Sequence, residues 1–129
     1  MNAFLAKASP VLLSVLRIVT GFLFIQHGTQ KWLLFPSGTT RASVETLSGV
    51  AGLMELAGGA LIIAGLFTRP VAFLLSGLMA FAYFIAHAPQ GFWPIQNRGE
   101  LAALYCFVFL YLAVAGGGPL SLDRLVRRG

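Results

Sequence analysis

The chain has 129 residues, 57% of them hydrophobic and only 10% charged, with a net charge of +5. So few ionisable groups cannot coat a water-soluble globule of this size, which excludes an ordinary soluble enzyme and points to lipid. The Lys and Arg residues are few and lack interleaved aromatics, so no nucleic-acid partner is expected.

In chain order, four apolar segments stand out, at about 10–35, 47–67, 71–87 and 99–116. Each approaches the ~17–25 residues with which a helix crosses a bilayer. They lack the period-two alternation of a β-barrel, and 60–67 and 71–82 carry no charge, unlike a soluble amphipathic helix. The expected fold is all-α: an antiparallel transmembrane four-helix bundle, one membrane domain over 1–129. The first segment is expected to be retained, because Arg17 interrupts it and no small-x-small cleavage site follows before Trp32. Pro10 and Pro70 mark helix starts, and Gly116, Gly117, Gly118 and Pro119 break the chain after the last span. In 119–129, Leu122, Leu125 and Val126 fall on one side of a short helix and the arginines on the other, the pattern of an interfacial anchor to anionic lipid. Lys7, Arg69, Arg124, Arg127 and Arg128 lie at one set of span ends, against Lys31, Arg41 and Arg98 at the other. Translocated loops are depleted in Lys and Arg, so both termini are expected to be cytoplasmic.

Polar residues inside the spans carry the functional reading. The first span ends in F-I-Q-H-G-T-Q at 24–30 and the third in F-I-A-H-A-P-Q at 84–90, and Trp32 and Trp93 follow. At ~1.5 Å per residue, His27 and His87 reach one level near the outer boundary. Ionisable groups in spans face the interior or a watery cavity. Helical spacing accordingly predicts stripes of Arg17, Gly21, Phe24, Gly28 and Lys31, with His27 on the flank; of Ser48, Gly52, Glu55 and Gly59; of Ser76, Ala80, Tyr83 and His87; and of Glu100, Leu104, Phe107 and Tyr111. The same counting places Glu55 at mid-membrane with Arg17 about a turn nearer the cytoplasm, so Arg17 and Glu55 are expected to form a structural ion pair. His27, Gln30, Lys31, His87, Gln90 and Glu100 collect in the outer third. Simple helix-end chemistry accounts for part of this set, with Lys31 snorkelling and Trp32, Phe92 and Trp93 forming an aromatic belt. Cys106 is the only cysteine, which rules out an internal disulfide or a cysteine-rich metal site.

Taken together, R-x3-G-x2-F-x2-H-G-x2-K over 17–31, ELAGGALIIAGLFTR at 55–69, His87, and N-R-G-E-L at 97–101 followed by G-G-G-P-L-S-L-D at 116–123 resemble the DoxX family of small four-helix membrane proteins. The resemblance implies a multi-pass protein of the bacterial inner membrane. It also implies an association with quinone-linked sulfur oxidation, or with redox complexes that include a superoxide dismutase and a sulfurtransferase. The expected function is a redox-associated subunit that binds a quinone or similar small redox ligand in an outer-half polar pocket. His27, His87 and Glu55 are its expected catalytic residues, Gln30, Gln90, Glu100 and Tyr83 bind the ligand, and Phe24, Tyr83, Phe84 and Phe92 supply ring faces. Four alternatives stay open: a non-catalytic platform for redox partner proteins, haem ligation by His27 and His87, transport, for which four short spans leave little room without oligomerisation, and a zinc or iron site of His27, His87 and Glu100. The cofactor is open between quinone and haem, and the candidate partners are the lipid bilayer, redox proteins and a second copy of the chain.

Overall fold

The computed structural model describes residues 2–38 and 40–127, so Arg128, counted in the charge bias, and the end of the 119–129 segment lie outside the described residues. Helix α1 (Ala3–Leu33) begins where the Asn2 side chain accepts the Leu5 N–H at 2.9 Å, satisfying a first-turn donor. The helix therefore starts about two turns before Pro10, which lies inside it and forfeits one backbone bond there. Thr46 likewise caps α2 (Leu47–Ala64), accepting the Gly49 N–H at 2.9 Å. Gly65 ends that helix at φ 72°, a left-handed conformation that glycine adopts without a Cβ clash.

Helix α3 (Thr68–Ala82) runs on through a π turn (Tyr83–His87) and a 3-10 turn (Ala88–Gln90). Pro89 cannot donate the next α-helical bond, and the Ala88 N–H reaches back to the Tyr83 carbonyl, winding one extra residue into the turn. A short α4 (Pro94–Asn97) leads into α5 (Glu100–Ala115), and α6 (Leu122–Arg127) closes the described chain, which contains no strand. Among the described residues three helical stretches are long and apolar enough to cross a membrane: Ala3–Leu33, Leu47–Ala64 and Thr68–Gln90. The fourth, α5, has 16 residues, or ~24 Å of rise against a hydrocarbon layer of ~30 Å.

Polarity is inverted relative to a soluble protein. Leu12, Phe22, Phe73, Leu74, Phe107 and Val114 are exposed, while Arg17, Glu55, Ser76 and Asn97 are buried. A surface of that kind requires an apolar solvent.

Helices α1 and α2 pair closely, with Gly21 against Ile62 and Ile63, Ile25 against Gly59, and Gly28 against Gly52 and Leu56. A Cβ on Gly28 would strike the α2 backbone, so glycine sets this approach. Helices α3 and α5 form the other main pair, in which Ser76 Oγ donates to the Cys106 carbonyl at 2.7 Å. Between the pairs, Phe24 meets Tyr105 and Phe109 edge-on, at centroid distances of 5.2 and 4.9 Å. Ile62, Leu75, Met79 and Leu112 complete this core. Helix α5 thus turns Tyr105, Phe109 and Leu112 inward, and Leu104, Phe107 and Tyr111, expected inside, are exposed. Glu100 misleads the phase: it is an exposed first-turn acid, favoured there by the helix dipole and unrelated to the core face.

The expected Arg17–Glu55 ion pair does not form. The Arg17 guanidinium, 1% exposed, donates from Nε to the Ile62 carbonyl at 2.8 Å, and from its terminal nitrogens to the carbonyls of Ile63 (3.3 Å), Leu120 (2.7 Å) and Gly117. Side chains on a helix lean toward its N-terminus, which carries the Arg17 head away from Glu55 and onto the turn after α2. Ser14 joins this cage, donating to the Gly117 carbonyl and accepting the Leu120 N–H, each at 3.0 Å. Beside it, the Asp123 carboxylate accepts the backbone N–H groups of Phe67 (2.7 Å) and Thr68 (2.9 Å), capping α3 from across the molecule. Phe67 itself is held at φ 53°. Burial pushes the Asp123 carboxyl up, but hydrogen bonds from Thr68 and the Phe67 N–H, with Arg127 nearby, outweigh it and hold the group below its ordinary value.

Candidate functional site

Away from the Arg17 cage, the same lean toward the N-terminus brings Lys31 down onto Glu55. Its Nζ lies 3.0 and 3.2 Å from the two carboxylate oxygens. The Glu55 side chain is 6% exposed and that of Lys31 30%, so the pair straddles the boundary between core and opening. Glycine makes the contact possible: the Lys31 stem and the Trp32 ring both lie against Gly52. Trp32 is less a free interfacial anchor than a clamp, donating Nε1–H to the Gly49 carbonyl at 2.9 Å.

A chamber of about 320 Å³ opens above this pair, lined by His27, Lys31, Glu55, His87, Arg98 and Tyr105 with Phe24, Met79, Leu101 and several alanines. The two histidines from the F-I-x-H-x-x-Q echoes do line one space. His27 sits edge-on to Tyr105, with ring centroids 6.0 Å apart. The position of His87 follows from the π turn and from Asn97, whose carbonyl lies 3.1 Å from His87 Nδ1. A carbonyl only accepts, so Nδ1 carries the proton, and neutral His87 presents Nε2 as an acceptor. Asn97 is fully buried and acts as the hub: its Nδ2 donates to Tyr83 Oη at 3.1 Å and to the Gly91 carbonyl at 2.9 Å, and its Oδ1 accepts the Gly99 N–H at 2.8 Å.

The other expected ligand-binding residues do not line the chamber. Gln30 donates to Ser37 Oγ at 3.0 Å, and Gln90 back to the Ala86 carbonyl at 2.7 Å; both are exposed. Glu100 is exposed at the start of α5, and the Tyr83 hydroxyl is taken by Asn97. The two echoes also differ in packing, since Phe24 is fully buried and Phe84 is 68% exposed. Phe92, at 80%, faces outward as well. Among the described residues no cluster of three or more His, Cys, Asp or Glu side chains is placed to hold a metal ion, so the His27, His87 and Glu100 site is not formed. Sequence reasoning missed Arg98 and Tyr105. Nothing in the sequence singled out Tyr105, because nearly every residue of α5 is apolar.

An all-helical chain with a lipid-facing surface and an ionisable chamber at one end defines a small integral membrane protein. The chain belongs to the DoxX family, whose sequence profile it matches over residues 12–88, a span that includes Arg17, His27, Lys31, Glu55 and His87. It is 48% identical to an uncharacterized protein of Haemophilus influenzae, over 92% of this chain and 93% of that one. It is 32% identical to "Inner membrane protein YphA" of Escherichia coli over 91% of each chain, and 29% identical to "Putative oxidoreductase CatD" of Bacillus subtilis over 89% and 87%. No solved structure matches it significantly.

Proposed function

We propose that this chain is a redox-associated subunit of the bacterial inner membrane, and that it binds a quinone or a similar small redox ligand in the chamber. The observation that carries the reading is the gathering of His27, His87, Tyr105 and the Lys31–Glu55 pair around one cavity among lipid-facing helices. The names of the Escherichia coli and Bacillus subtilis relatives, an inner membrane protein and an oxidoreductase, support location and chemistry. On this reading the chain is a single membrane domain, an antiparallel bundle of four spans with both termini cytoplasmic.

The donor set fits a quinone head. Lys31 spends two of its three N–H groups on Glu55 and keeps one. Together with the Tyr105 hydroxyl and the His27 N–H, it can donate to quinone oxygens, while His87 Nε2 takes one of the two protons that a quinol releases on oxidation and the other passes to water at the chamber mouth. Glu55 holds Lys31 in place, and a partner protein exchanges the electrons. Titration of the purified protein in lipid nanodiscs with decylubiquinone tests the proposal. Saturable binding weakened about tenfold by His87→Ala is expected. Binding indifferent to both His27→Ala and His87→Ala, or absent, would overturn it, and recovery of redox partners with such an empty protein would turn the reading to a platform.

A further inference from the structure

A second cavity, of about 390 Å³, follows the seam between α2 and α3. Its walls are apolar, with Val50, Met54, Leu78, Phe81 and Ile85 prominent among them. It shares three lining residues with the chamber, Lys31, Ala82 and Ala86, so the two spaces meet there. Two of these bring only a methyl group. The third is amphipathic: the Lys31 ammonium is turned to Glu55 while its methylene stem lies against Gly52. Lys31 thereby divides a polar space from an apolar one along its own length.

We infer that the α2/α3 groove holds the apolar tail of the ligand whose head occupies the chamber. The substrate class is then a membrane amphiphile with one redox-active ring and a long hydrocarbon or isoprenoid tail, as opposed to a small soluble redox compound. The inference rests on the chamber reading above and adds the tail site to it. Moving a tail from lipid into a protein groove gains little hydrophobic free energy, since both surroundings are apolar. The groove's contribution is orientation: a tail fixed at the Ala82 and Ala86 junction points the ring at His27, His87 and Lys31.

The test uses the full chain in phosphatidylcholine nanodiscs with a ubiquinone analogue whose ten-carbon tail ends in a photoreactive diazirine. Adducts are expected on Val50, Met54, Phe81 or Ile85, and about a tenfold excess of decylubiquinone should lower them on the order of tenfold by mass action. Ala86→Trp, which fills the junction from an exposed position, should lower them similarly with helix content unchanged. Val50, Met54, Phe81 and Ile85 are exposed, like Phe73 and Leu110 elsewhere on the surface. Adducts spread as heavily over Phe73 and Leu110 as over the groove, or groove adducts that decylubiquinone does not displace, would therefore overturn the tail site, the latter because an ordinary lipid chain then occupies it. A tailless dimethoxy-methyl-benzoquinone separates the two readings. If it binds with His87-sensitive affinity while the groove stays unlabelled, the chamber stands and the groove falls. If neither quinone binds in a His87-sensitive way, both fall.

Discussion

At one end of the molecule Arg17, 1% exposed, donates to four backbone carbonyls, those of Ile62, Ile63, Gly117 and Leu120. At the other end Lys31 meets one carboxylate at the mouth of a chamber, where the His27 and Arg98 side chains make no hydrogen bond within the described protein. Both are cations among apolar helices. The difference lies in what remains unsatisfied: a fully bonded buried group rigidifies the fold, whereas donors and acceptors left facing a cavity are available to a ligand.

The sharpest way to break this contrast is to remove the closed cation. Arg17→Ala removes a donor from four carbonyls, of which Gly117 keeps Ser14 and Ile62 keeps the Gly65 N–H, and is expected to destabilise the protein by about 3–5 kcal/mol, read as thermal unfolding in detergent. Arg17→Lys should restore less than half of that, because an ammonium cannot span the same fork of acceptors. A variant as stable as the parent would show that the cage is not what holds this end.

Next in size is the open pair. Lys31→Met strands the Glu55 carboxylate and should lose about 3 kcal/mol, while the double variant Lys31→Met with Glu55→Gln should recover most of it. A double-mutant cycle that returned no coupling would place the two groups apart in the folded protein.

Asp123 gives a smaller, pH-dependent effect. Its carboxyl is held below the ordinary value in the folded chain, so the unfolded chain binds its proton first. The stabilisation is therefore complete above the ordinary carboxylate range and is lost as pH falls through that range and below the folded value. Asp123→Asn should lower stability by about 1 kcal/mol at neutral pH and flatten the acid limb of the melting curve. The smallest stability change is expected at the histidines: His27→Ala and His87→Ala should each shift stability by under about 1 kcal/mol while weakening quinone binding, which would separate site from scaffold.

That the chain is built of apolar, lipid-facing helices could be read from residue order, because apolar run length acts locally along each span. Partner choice could not. Counting depth placed Arg17 beside Glu55, yet the direction in which side chains lean, together with the close α1/α2 approach at Gly28 and Gly52, gives that carboxylate to Lys31. Likewise Asn97, buried in a connection that reads as loop, earns its place only through the folded backbone of Gly91 and Gly99. The inward face of α5 was obscured for another reason: nearly every residue of that helix is apolar, so hydrophobic periodicity carries no phase.

The wide turn at Tyr83–His87 also bears on comparisons among relatives. A DoxX protein lacking one residue there could keep every α3 contact below Ala82 and still rotate the imidazole by about 100°. Segment length, as much as side-chain identity, then decides which way that ring faces, and a histidine conserved in an alignment need not be conserved in space.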